Sequence, residues 1–430
     1  MSRTMHTYDV IICGAGAGGI AAAIMFGRQG KSVLLLDKLH DTVETFKGEL
    51  LQPGSLRILD GLGALQPLRE AGGRAIDRLS CATATGEELC AMEYRWLPGD
   101  YNYCMTHTYK GILDNFVAIL PDTVEFRRRV TVESLTRDSD GRVNGVQLRR
   151  GGEREEIHAP LVVVGDGHAS KLRGQLGIVV DTTPYAHQVV AIDLVDEPHL
   201  ATQATTFVTA AGMRVMYPMP HDGGRLYLQV PRGFVNRIGK QGLPTWLDGV
   251  IDECPALAPV HDSARRGLET SRVLSARRFI APDFHRAGAP LVGDAAHAVH
   301  PMAGQGMNAA IADSAALTEL LEGVDHADSA RVDRALRSYG VKRRAEVGTI
   351  SEFSHRFADM FTDTATKLRF ARSTYILGRH GRNERLCYKI MHNISGLGYQ
   401  PFSILDRLQQ LGLPDRNAQL PAHVRRLERV

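Results

Sequence analysis

The fold is decided near the beginning of the sequence, by the stretch Tyr8-Asp-Val-Ile-Ile-Cys13-Gly14-Ala-Gly16-Ala-Gly-Gly19 and the residues after it. The apolar, β-branched run before Gly14 predicts a buried strand. The apolar run after Gly19 predicts a helix that ends at Gly27 or Gly30. A second apolar run, Ser32-Val-Leu-Leu-Leu-Asp37, predicts another strand with an acid at its end. This order predicts a βαβ unit with a parallel sheet.

The three glycines of this turn have the spacing of a dinucleotide-binding site. Gly14 allows the tight turn, Gly16 lets the backbone approach a pyrophosphate, and Gly19 lets the helix pack closely on the strand. The helix that begins near Ala17 presents unpaired N–H groups and a partial positive charge to phosphates. Asp37 is placed to accept hydrogen bonds from ribose hydroxyls, and its charge disfavours a 2′-phosphate. The unit therefore predicts bound FAD or NAD rather than NADP.

Two later segments repeat the pattern of a buried strand followed by a glycine-flanked acid. Taken singly, each is also compatible with a strand–helix junction that the aspartate caps. A long apolar helix is predicted after the second, through about Leu321. The segments are Leu161-Val-Val-Val-Gly165-Asp166-Gly167 and Leu291-Val-Gly293-Asp294-Ala-Ala-His297-Ala-Val-His300-Pro301-Met-Ala-Gly304-Gln305-Gly306-Met307-Asn308.

Together the three motifs resemble those of the class A flavoprotein monooxygenases, the para-hydroxybenzoate-hydroxylase-like family, over roughly residues 8–345. The pattern GDAAHxxHPxxGQGMN is the most specific part of the match. The resemblance implies that FAD is the bound cofactor and that Asp294 holds its ribityl chain. It also implies that Asp166 and its glycines support the pyrophosphate and the approach of the nicotinamide. The cofactor-binding residues that it implies near the flavin ring are Pro301 and the backbone at Gly304, Gly306, Met307 and Asn308.

The segment Lys47-Gly-Glu-Leu-Leu-Gln52-Pro-Gly54 resembles squalene epoxidases, while AHxxHPxAGQGxN resembles the ubiquinone-biosynthesis hydroxylases. Both groups oxidise greasy, often prenylated molecules. The resemblance places Lys47 and Lys110 near the FAD pyrophosphate, where relatives usually carry arginine. Lysine is a point charge without the bidentate fork of arginine. The same resemblance places Gln52 next to the flavin, which makes it a substrate-facing candidate.

The predicted fold class is α/β, with a Rossmann-like FAD-binding domain, an interleaved mixed β-sheet substrate domain and a helical C-terminal region. Period-two alternation, as in Met213–Tyr217 and Arg225–Val230, predicts half-buried antiparallel strands. A hairpin is expected around Asp138–Gly141. We expect the FAD-binding domain to comprise residues 1–75, 107–182 and 276–345. The substrate domain is expected to comprise residues 76–106, whose sequence pattern is irregular, and residues 183–275. The helical C-terminal region is expected to comprise residues 346–430.

Tyr217 is the second substrate-facing candidate, because it lies in the alternating region. For Tyr217 and for the weaker candidates Tyr227, His107, Tyr109 and His221, packing or surface exposure is the preferred interpretation. No catalytic side chain is assigned, since the flavin carries the chemistry. His297 and His300 have a spacing that metal ligands use, but no third ligand supports them, so no metal site is predicted.

The resemblance implies the reaction. NADPH or NADH, bound only transiently, reduces FAD, and O₂ then forms a flavin C4a-hydroperoxide that hydroxylates a hydrophobic aromatic molecule, with or without a prenyl chain. A place in secondary metabolism is expected. The alternative is epoxidation of an isoprenoid double bond by the same chemistry. A remote alternative is a non-catalytic lipid-binding escort on the same fold. Only one complete GxGxxG motif occurs, which argues against a second domain for resident nicotinamide.

The composition of this 430-residue chain indicates which kinds of molecule it binds. Its 51 basic and 48 acidic residues give a formal charge of +3, which argues against a dedicated nucleic-acid binder. From His355 onward, however, 13 Lys or Arg face 6 Asp or Glu, a local charge of +7. A solvated basic helix pair is the preferred interpretation, and a membrane-surface face is the alternative. The expected partners are a hydrophobic small molecule and, in a homodimer, a second copy; a monomer is equally compatible.

We expect neither a signal peptide nor a membrane span from the sequence. The uncharged stretch from Val10 to Phe26 is shorter than the roughly 20 apolar residues of a membrane span. Its regularly spaced glycines also argue against the core of a signal peptide. Six cysteines without a CxxC pattern fit a reducing compartment. We therefore expect a cytoplasmic protein without a transmembrane segment.

Overall fold

The computed structural model describes residues 8–46, 48–364, 366–421 and 424, and within them the chain forms a mixed α/β structure. The strands are β1 (Val10–Cys13), β2 (Val33–Leu36), β3 (Leu50–Leu51), β4 (Arg74–Ile76), β5 (Arg78–Thr83), β6 (Glu88–Glu93), β7 (Cys104–Thr106), β8 (Val124–Arg127), β9 (Thr131–Arg137), β10 (Val143–Arg150), β11 (Glu153–His158), β12 (Leu161–Val164), β13 (Thr183–Leu194), β14 (Gln203–Thr209), β15 (Gly212–Met219), β16 (Gly223–Pro231), β17 (Arg272–Ile280), β18 (His285–Arg286), β19 (Ala289–Pro290) and β20 (His297–Ala298).

Twelve α-helices connect and cover these strands in the described part of the chain. They are α1 (Ala17–Arg28), α2 (Pro53–Gly61), α3 (Leu65–Glu70), α4 (Tyr109–Ala118), α5 (Lys171–Gln175), α6 (Phe234–Glu253), α7 (His261–Gly267), α8 (Gly306–Leu320), α9 (Ser329–Thr362), α10 (Lys367–His380), α11 (Glu384–Ser395) and α12 (Ile404–Gln410). No helix among these residues is both long enough and apolar enough to cross a membrane.

The dinucleotide-binding unit contains a parallel sheet in the order β12-β1-β2-β8. Val10 of β1 pairs with Leu161 on one side and with Val33 on the other. Beyond β12, Val164 forms a parallel bridge to Leu291. Since β1, β2 and β12 are fully buried, their runs are apolar throughout rather than alternating. The three motifs predicted from sequence therefore leave one sheet at one edge, where the carboxyl ends of its strands meet.

The second large element is an eight-stranded mixed sheet in the order β20-β17-β13-β16-β15-β14-β5-β6. Its pairs are antiparallel except for β14 with β5, which run parallel. The strands β5 and β6 come from the segment that looked irregular in sequence, because short strands with mixed polarity carry little periodic signal. β17 continues to Ile280, five residues beyond the proposed limit at 275.

Two small sheets and a long helix join these layers. β7 pairs with β3 and β4, which brings the residues before Gln52 next to residues 104–106. The hairpin expected around Asp138–Gly141 is present as β9 and β10. The proposed junction at residue 345 falls inside α9, which is 34 residues long and ends at Thr362. Its interior Gly340 gives no break; an added Cβ there would lie 2.7 Å from His285 Nδ1.

Candidate active site

The glycine turns at the edge of the parallel sheet touch one another through their backbones. Gly14 has a φ of +111°, and a Cβ added to it would lie 2.2 Å from the carbonyl oxygen of Gly165. A Cβ on Gly19 would lie 1.9 Å from the carbonyl oxygen of Gly14. Neither position therefore accepts a side chain without movement of the backbone. These contacts explain why the turn after β1 requires glycine at Gly14 and why α1 requires it at Gly19.

Two other glycines border open space at the starts of two helices. A Cβ on Gly306, the first residue of α8, would meet no atom within 4 Å. A Cβ on Gly16, just before α1, would meet only the Tyr109 hydroxyl, at 3.8 Å. The helices pack together, because the Ser314 hydroxyl of α8 donates to the Gly18 carbonyl at 2.6 Å. Two helix N-termini thus present N–H groups to the cleft, an arrangement that binds anionic groups.

Asp37 holds the turn of this cleft from the end of β2. One carboxylate oxygen accepts the N–H of Ala15 at 2.7 Å, and the other accepts the N–H of Leu39 at 2.7 Å. Each oxygen of a carboxylate has a second lone-pair site, so both remain able to accept another hydrogen bond.

Asp166 and Asp294 occupy the corresponding turns after β12 and after Val292. Asp166 accepts the Ser170 hydroxyl and, at 3.3 Å, the N–H of Leu172, so it supports the first turn of α5. Asp294 is half-buried in the 3-10 turn Gly293–Ala295. Arg173 of α5 donates from Nη1 to the Ala295 carbonyl at 2.8 Å, which ties the two turns together.

Tyr109, a weak candidate for the substrate pocket, lies instead at the glycine-rich turn. Its hydroxyl is near Gly16, and its ring is near Gly48. Burial, followed by the charge of Asp294, raises the pKa of Tyr109 to about 12, although the Ala17 N–H acts in the opposite direction. Tyr109 is thus a polar group in the dinucleotide cleft. Its sequence signal is only its place at the start of α4, next to Lys110.

The resemblance places two lysines, Lys47 and Lys110, near the pyrophosphate, and the structure describes only the second of them. Lys47 lies outside the described residues. Lys110 forms an ion pair with Asp114, one turn further along α4, at 2.5 Å. The Lys110 side chain is 40 % exposed, so its ammonium group lies at the surface of α4.

A buried network of charged side chains holds the turn that contains Asp294 through the backbone N–H of Gly293. Asp313 of α8 accepts the N–H of Gly293 at 2.8 Å, His297 Nε2 lies 2.7 Å away, and Arg343 Nε donates to it at 2.8 Å. Burial by itself would raise the pKa of Asp313, but His297 and Arg343 outweigh it and lower the pKa. Neither Asp313 nor Arg343 was identified from sequence. The only signal for Asp313 is a charge inside the mostly apolar α8, and Arg343 is one of many charged residues of α9.

His300 fixes the turn that follows, which contains Pro301. Its Nδ1 accepts the N–H of Met302 at 3.1 Å, and its Nε2 lies 3.1 Å from His187 Nε2 of β13. The ring of Tyr185 packs edge-on against His300 with 4.5 Å between the centroids. Burial, then the charges of His187 and His355, lowers the pKa of His300 to about 3. His297 and His300 therefore each have a protein partner.

Gln52 and Tyr217 both line a small, partly open cavity of about 50 Å³ between the large sheet and the Pro301–Ala303 turn. The Gln52 side-chain oxygen accepts the Tyr94 hydroxyl at 2.8 Å, and the Gln52 backbone N–H donates to Asn308 Oδ1 at 2.9 Å. Ser80 and Thr206 are further polar residues of the lining. The rest of the lining is apolar and consists of Leu50, Leu79, Cys81, Met92, Ala204, Val215, Met302, Ala303, Phe357 and Ile394.

The other weak candidates lie outside this lining. His107 is buried, with Nε2 3.3 Å from the Ala71 carbonyl oxygen, and His221 is exposed in a turn. Tyr227 lies behind Tyr217, and both hydroxyls donate to Glu49. The Tyr217 hydroxyl is thus directed to Glu49, and its ring is the part available to the cavity.

Comparison with known proteins agrees with this geometry. Residues 7–354 match the family model described as an FAD binding domain. The 6-methylpretetramide 4-monooxygenase of Streptomyces rimosus is 28% identical over 348 residues, which covers 79% of this chain and 81% of that protein. Squalene epoxidase 1 of Arabidopsis thaliana is 25% identical over 368 residues, covering 84% of this chain and 68% of that protein.

Solved structures give the same result. The crystal structure of PqsL, a probable FAD-dependent monooxygenase of Pseudomonas aeruginosa, has a TM-score of 0.73 and 25% identity, and the match covers 86% of this chain and 99% of PqsL. The p-nitrophenol 4-monooxygenase PnpA of Pseudomonas putida shares the fold with a TM-score of 0.77 at 20% identity, over 92% and 100% of the chains.

The chain therefore belongs to the FAD-binding-domain family, and its relatives are flavin-dependent monooxygenases. The predicted class, an FAD-dependent monooxygenase and hence an oxidoreductase, is confirmed. The mixed α/β fold with a Rossmann-like unit is confirmed as well.

Proposed function

We propose that this monooxygenase uses NADPH or NADH and O₂ to hydroxylate a hydrophobic aromatic small molecule that binds at the cavity beside Gln52, where the lining side chains must move apart to admit it. The observation that carries the proposal is the lining of that cavity, which is apolar except for a few polar groups. Such a lining binds an apolar body and orients it through few hydrogen bonds. The aromatic substrate class is supported by the monooxygenase from Streptomyces rimosus, whose name specifies 6-methylpretetramide.

The cleft fits an adenine–flavin dinucleotide on three counts. The turn at Gly14 excludes a side chain, while Gly16 and Gly306 border open space at two helix N-termini. Asp37 stands at the end of β2, where a ribose would be held. We assign the cofactor to Gly14, Gly16, Ala17, Gly19, Asp37, Lys47, Lys110, Asp166, Asp294, Pro301, Gly304, Gly306, Met307 and Asn308.

When bound, FAD supplies the redox chemistry that activates O₂ for transfer of one oxygen atom. This chain supplies orientation, fixed dipoles and a site that excludes water. The first N–H groups of α8 would face the negative edge of a reduced flavin ring. His300 holds the Met302 N–H, and Asn308 donates to the Leu50 and Gly304 carbonyls at 2.8 and 2.6 Å, so both walls of the site are fixed.

The test is substrate-stimulated oxidation of NADPH or NADH by the FAD-loaded protein, with product mass, across phenols, quinolones, indoles and terpenoids. We expect gain of one oxygen atom in an aromatic compound. Thr206→Phe, which fills the cavity, should abolish this stimulation but retain FAD; Thr131→Phe, on an exposed position of β9, should leave it unchanged. Reductant consumption that yields only peroxide with every compound would contradict the proposal.

Epoxidation of an isoprenoid double bond is the second candidate reaction. The similarity to squalene epoxidases over 84% of the chain favours it. The same screen separates the two, because an epoxide from a terpenoid and a phenol from an aromatic compound differ in fragmentation. If only terpenoids stimulate reductant oxidation and gain oxygen, the epoxidase proposal replaces the first.

A further inference from the structure

Exposed apolar side chains are concentrated on one part of the molecule. Eight of the fourteen large hydrophobic residues that are exposed in the described chain lie between Leu368 and Leu413. Single exposed hydrophobic residues are normal on a protein surface, whereas a contiguous group marks an interaction site. Six of them define what we call the α10–α12 face: Leu368, Tyr375, Ile404, Leu405, Leu408 and Leu411.

The α10–α12 face is continuous across two helices. Leu368 and Tyr375 are seven residues apart on α10, which places them on the same side of that helix. A Cβ added to Gly412 would lie 2.6 Å from the Tyr375 hydroxyl, so α10 touches the end of α12 there. Arg379 of α10 also donates to the Gly412 carbonyl at 3.3 Å. The exposed residues of both helices thus form one surface.

Positive charge surrounds this face. Residues 366–421 contain nine Lys or Arg and three Asp or Glu. Two of the three acids are buried: Asp406 is paired with Lys389 at 2.7 Å and with Arg385 at 2.8 Å, and Asp415 with Arg385 at 2.9 Å. The basic residues Lys367, Arg372, Arg382 and Arg416 are exposed. The outward charge is therefore more positive than the composition alone indicates.

We propose that the α10–α12 face docks on the surface of a membrane that contains anionic lipids. Aliphatic side chains on short helices, bordered by Lys and Arg, have the chemistry of an interfacial amphipathic surface. The basic residues match anionic headgroups, each contributing through a field that salt screens. A second copy of this chain fits less well, because a symmetric contact would bring the same positive charges together.

The test is co-sedimentation of the full-length, FAD-loaded protein with phosphatidylcholine vesicles that either contain or lack phosphatidylglycerol. We expect binding to the anionic vesicles that weakens as salt rises. Ile404→Gln/Leu405→Gln should weaken binding on the order of tenfold, because two side chains lose apolar burial. Arg372→Gln should weaken it about fivefold. The matched control is Val341→Gln on α9, where the native valine is 76% exposed and the change should have no effect.

Several outcomes would overturn the proposal. They are equal sedimentation with both vesicle types, unchanged binding by Ile404→Gln/Leu405→Gln, or an equal loss in Val341→Gln. A dimer seen by analytical ultracentrifugation and dissociated by Ile404→Gln/Leu405→Gln would assign the face to a second copy instead. Circular dichroism and bound FAD verify that each variant is folded. Because vesicle binding needs no substrate, this proposal and the proposed reaction fail independently.

Discussion

Glu49 and Arg225 form an almost fully buried ion pair between the FAD-binding region and the large sheet. Arg225 Nη2 lies 2.6 Å from one carboxylate oxygen of Glu49, and Arg225 Nε lies 3.1 Å from the other. Both side chains are at most 2% exposed. The hydroxyls of Tyr217 and Tyr227 also donate to Glu49, at 2.9 and 2.8 Å. The segment that leads to Gln52 is thus fastened to the sheet that bounds the cavity.

Removal of one member of this pair should destabilise the protein strongly. Glu49→Leu leaves the Arg225 guanidinium buried, with Asp193 as its remaining ion-pair partner in the described part of the chain. We expect the free energy of unfolding to fall by about 3 to 5 kcal/mol. The free energy of unfolding is measured by urea denaturation followed by fluorescence. The double variant Glu49→Leu/Arg225→Leu should lose less than the sum of the single variants, and strict additivity would show that the pair is uncoupled.

Gly14→Ala should prevent formation of the cofactor site. The new Cβ would lie 2.2 Å from the Gly165 carbonyl oxygen, and the φ of +111° is unfavourable for alanine. We expect little folded protein and no retained FAD, measured by flavin absorbance after gel filtration. Gly30→Ala is the control, since Gly30 also has a positive φ but no atom lies within 4 Å of its added Cβ. That variant should retain FAD and lose only about 1 to 2 kcal/mol of stability. Equal FAD retention in both variants would contradict the close-packing argument.

Asp37→Ala should weaken FAD binding without unfolding the protein. The substitution removes the acceptors of the Ala15 and Leu39 N–H groups and the proposed acceptor for ribose hydroxyls. Loss of charged hydrogen bonds of this kind corresponds to roughly a tenfold to hundredfold higher Kd. Quenching of flavin fluorescence on titration of apoprotein measures the Kd. Asp122→Ala, at an exposed position after α4, is the control, and a similar change in both would refute the assignment.

His300 should make the protein less stable in mild acid. Its pKa is lowered to about 3, whereas an unfolded histidine has a pKa of about 6.5. Between these values the unfolded chain binds more protons, so stability falls as pH falls below about 6.5. At pH 5 this amounts to about 2 kcal/mol relative to pH 7.5.

The matching experiment is urea unfolding at both pH values for wild type and His300→Asn, in which asparagine retains a capping acceptor for Met302. The loss between pH 7.5 and pH 5 should be smaller by about 2 kcal/mol in the variant. The facing groups His187, Tyr185 and His355 are unchanged in it. His199→Asn, at an exposed loop position, should show the wild-type loss. An identical pH dependence in His300→Asn would be evidence against a buried neutral His300.

The parts of the site that follow from local sequence were predictable. Gly14, Gly165 and Gly293 follow short apolar runs, and a strand–turn–helix order determines where each turn leaves the sheet. The hairpin of β9 and β10 also follows from a local turn signal. These features depend on residues within about ten positions, where periodicity and turn chemistry are informative.

The polar networks that fix the turns were not predictable in this way. Arg343 is 30 residues from Asp313, His187 is 113 from His300, and Arg225 is 176 from Glu49. Only the tertiary fold brings such partners together, so neither spacing nor composition identifies them. Tyr109 illustrates the same limit, because its ring could be placed in the substrate sheet or in the dinucleotide cleft until the position of α4 was known.

The cavity beside Gln52 has walls from widely separated parts of the chain, and this has a consequence for biosynthesis. Leu50 and Ile394 both line it, although a ribosome adds Ile394 344 residues after Leu50. The βαβ unit around Gly14 is complete within the first 40 residues, so a nascent chain can form it early. Closure of the proposed substrate cavity instead requires α11, which is synthesised much later. The emerging polypeptide thus acquires its nucleotide-binding element long before it has a pocket in which an activated oxygen atom could be used.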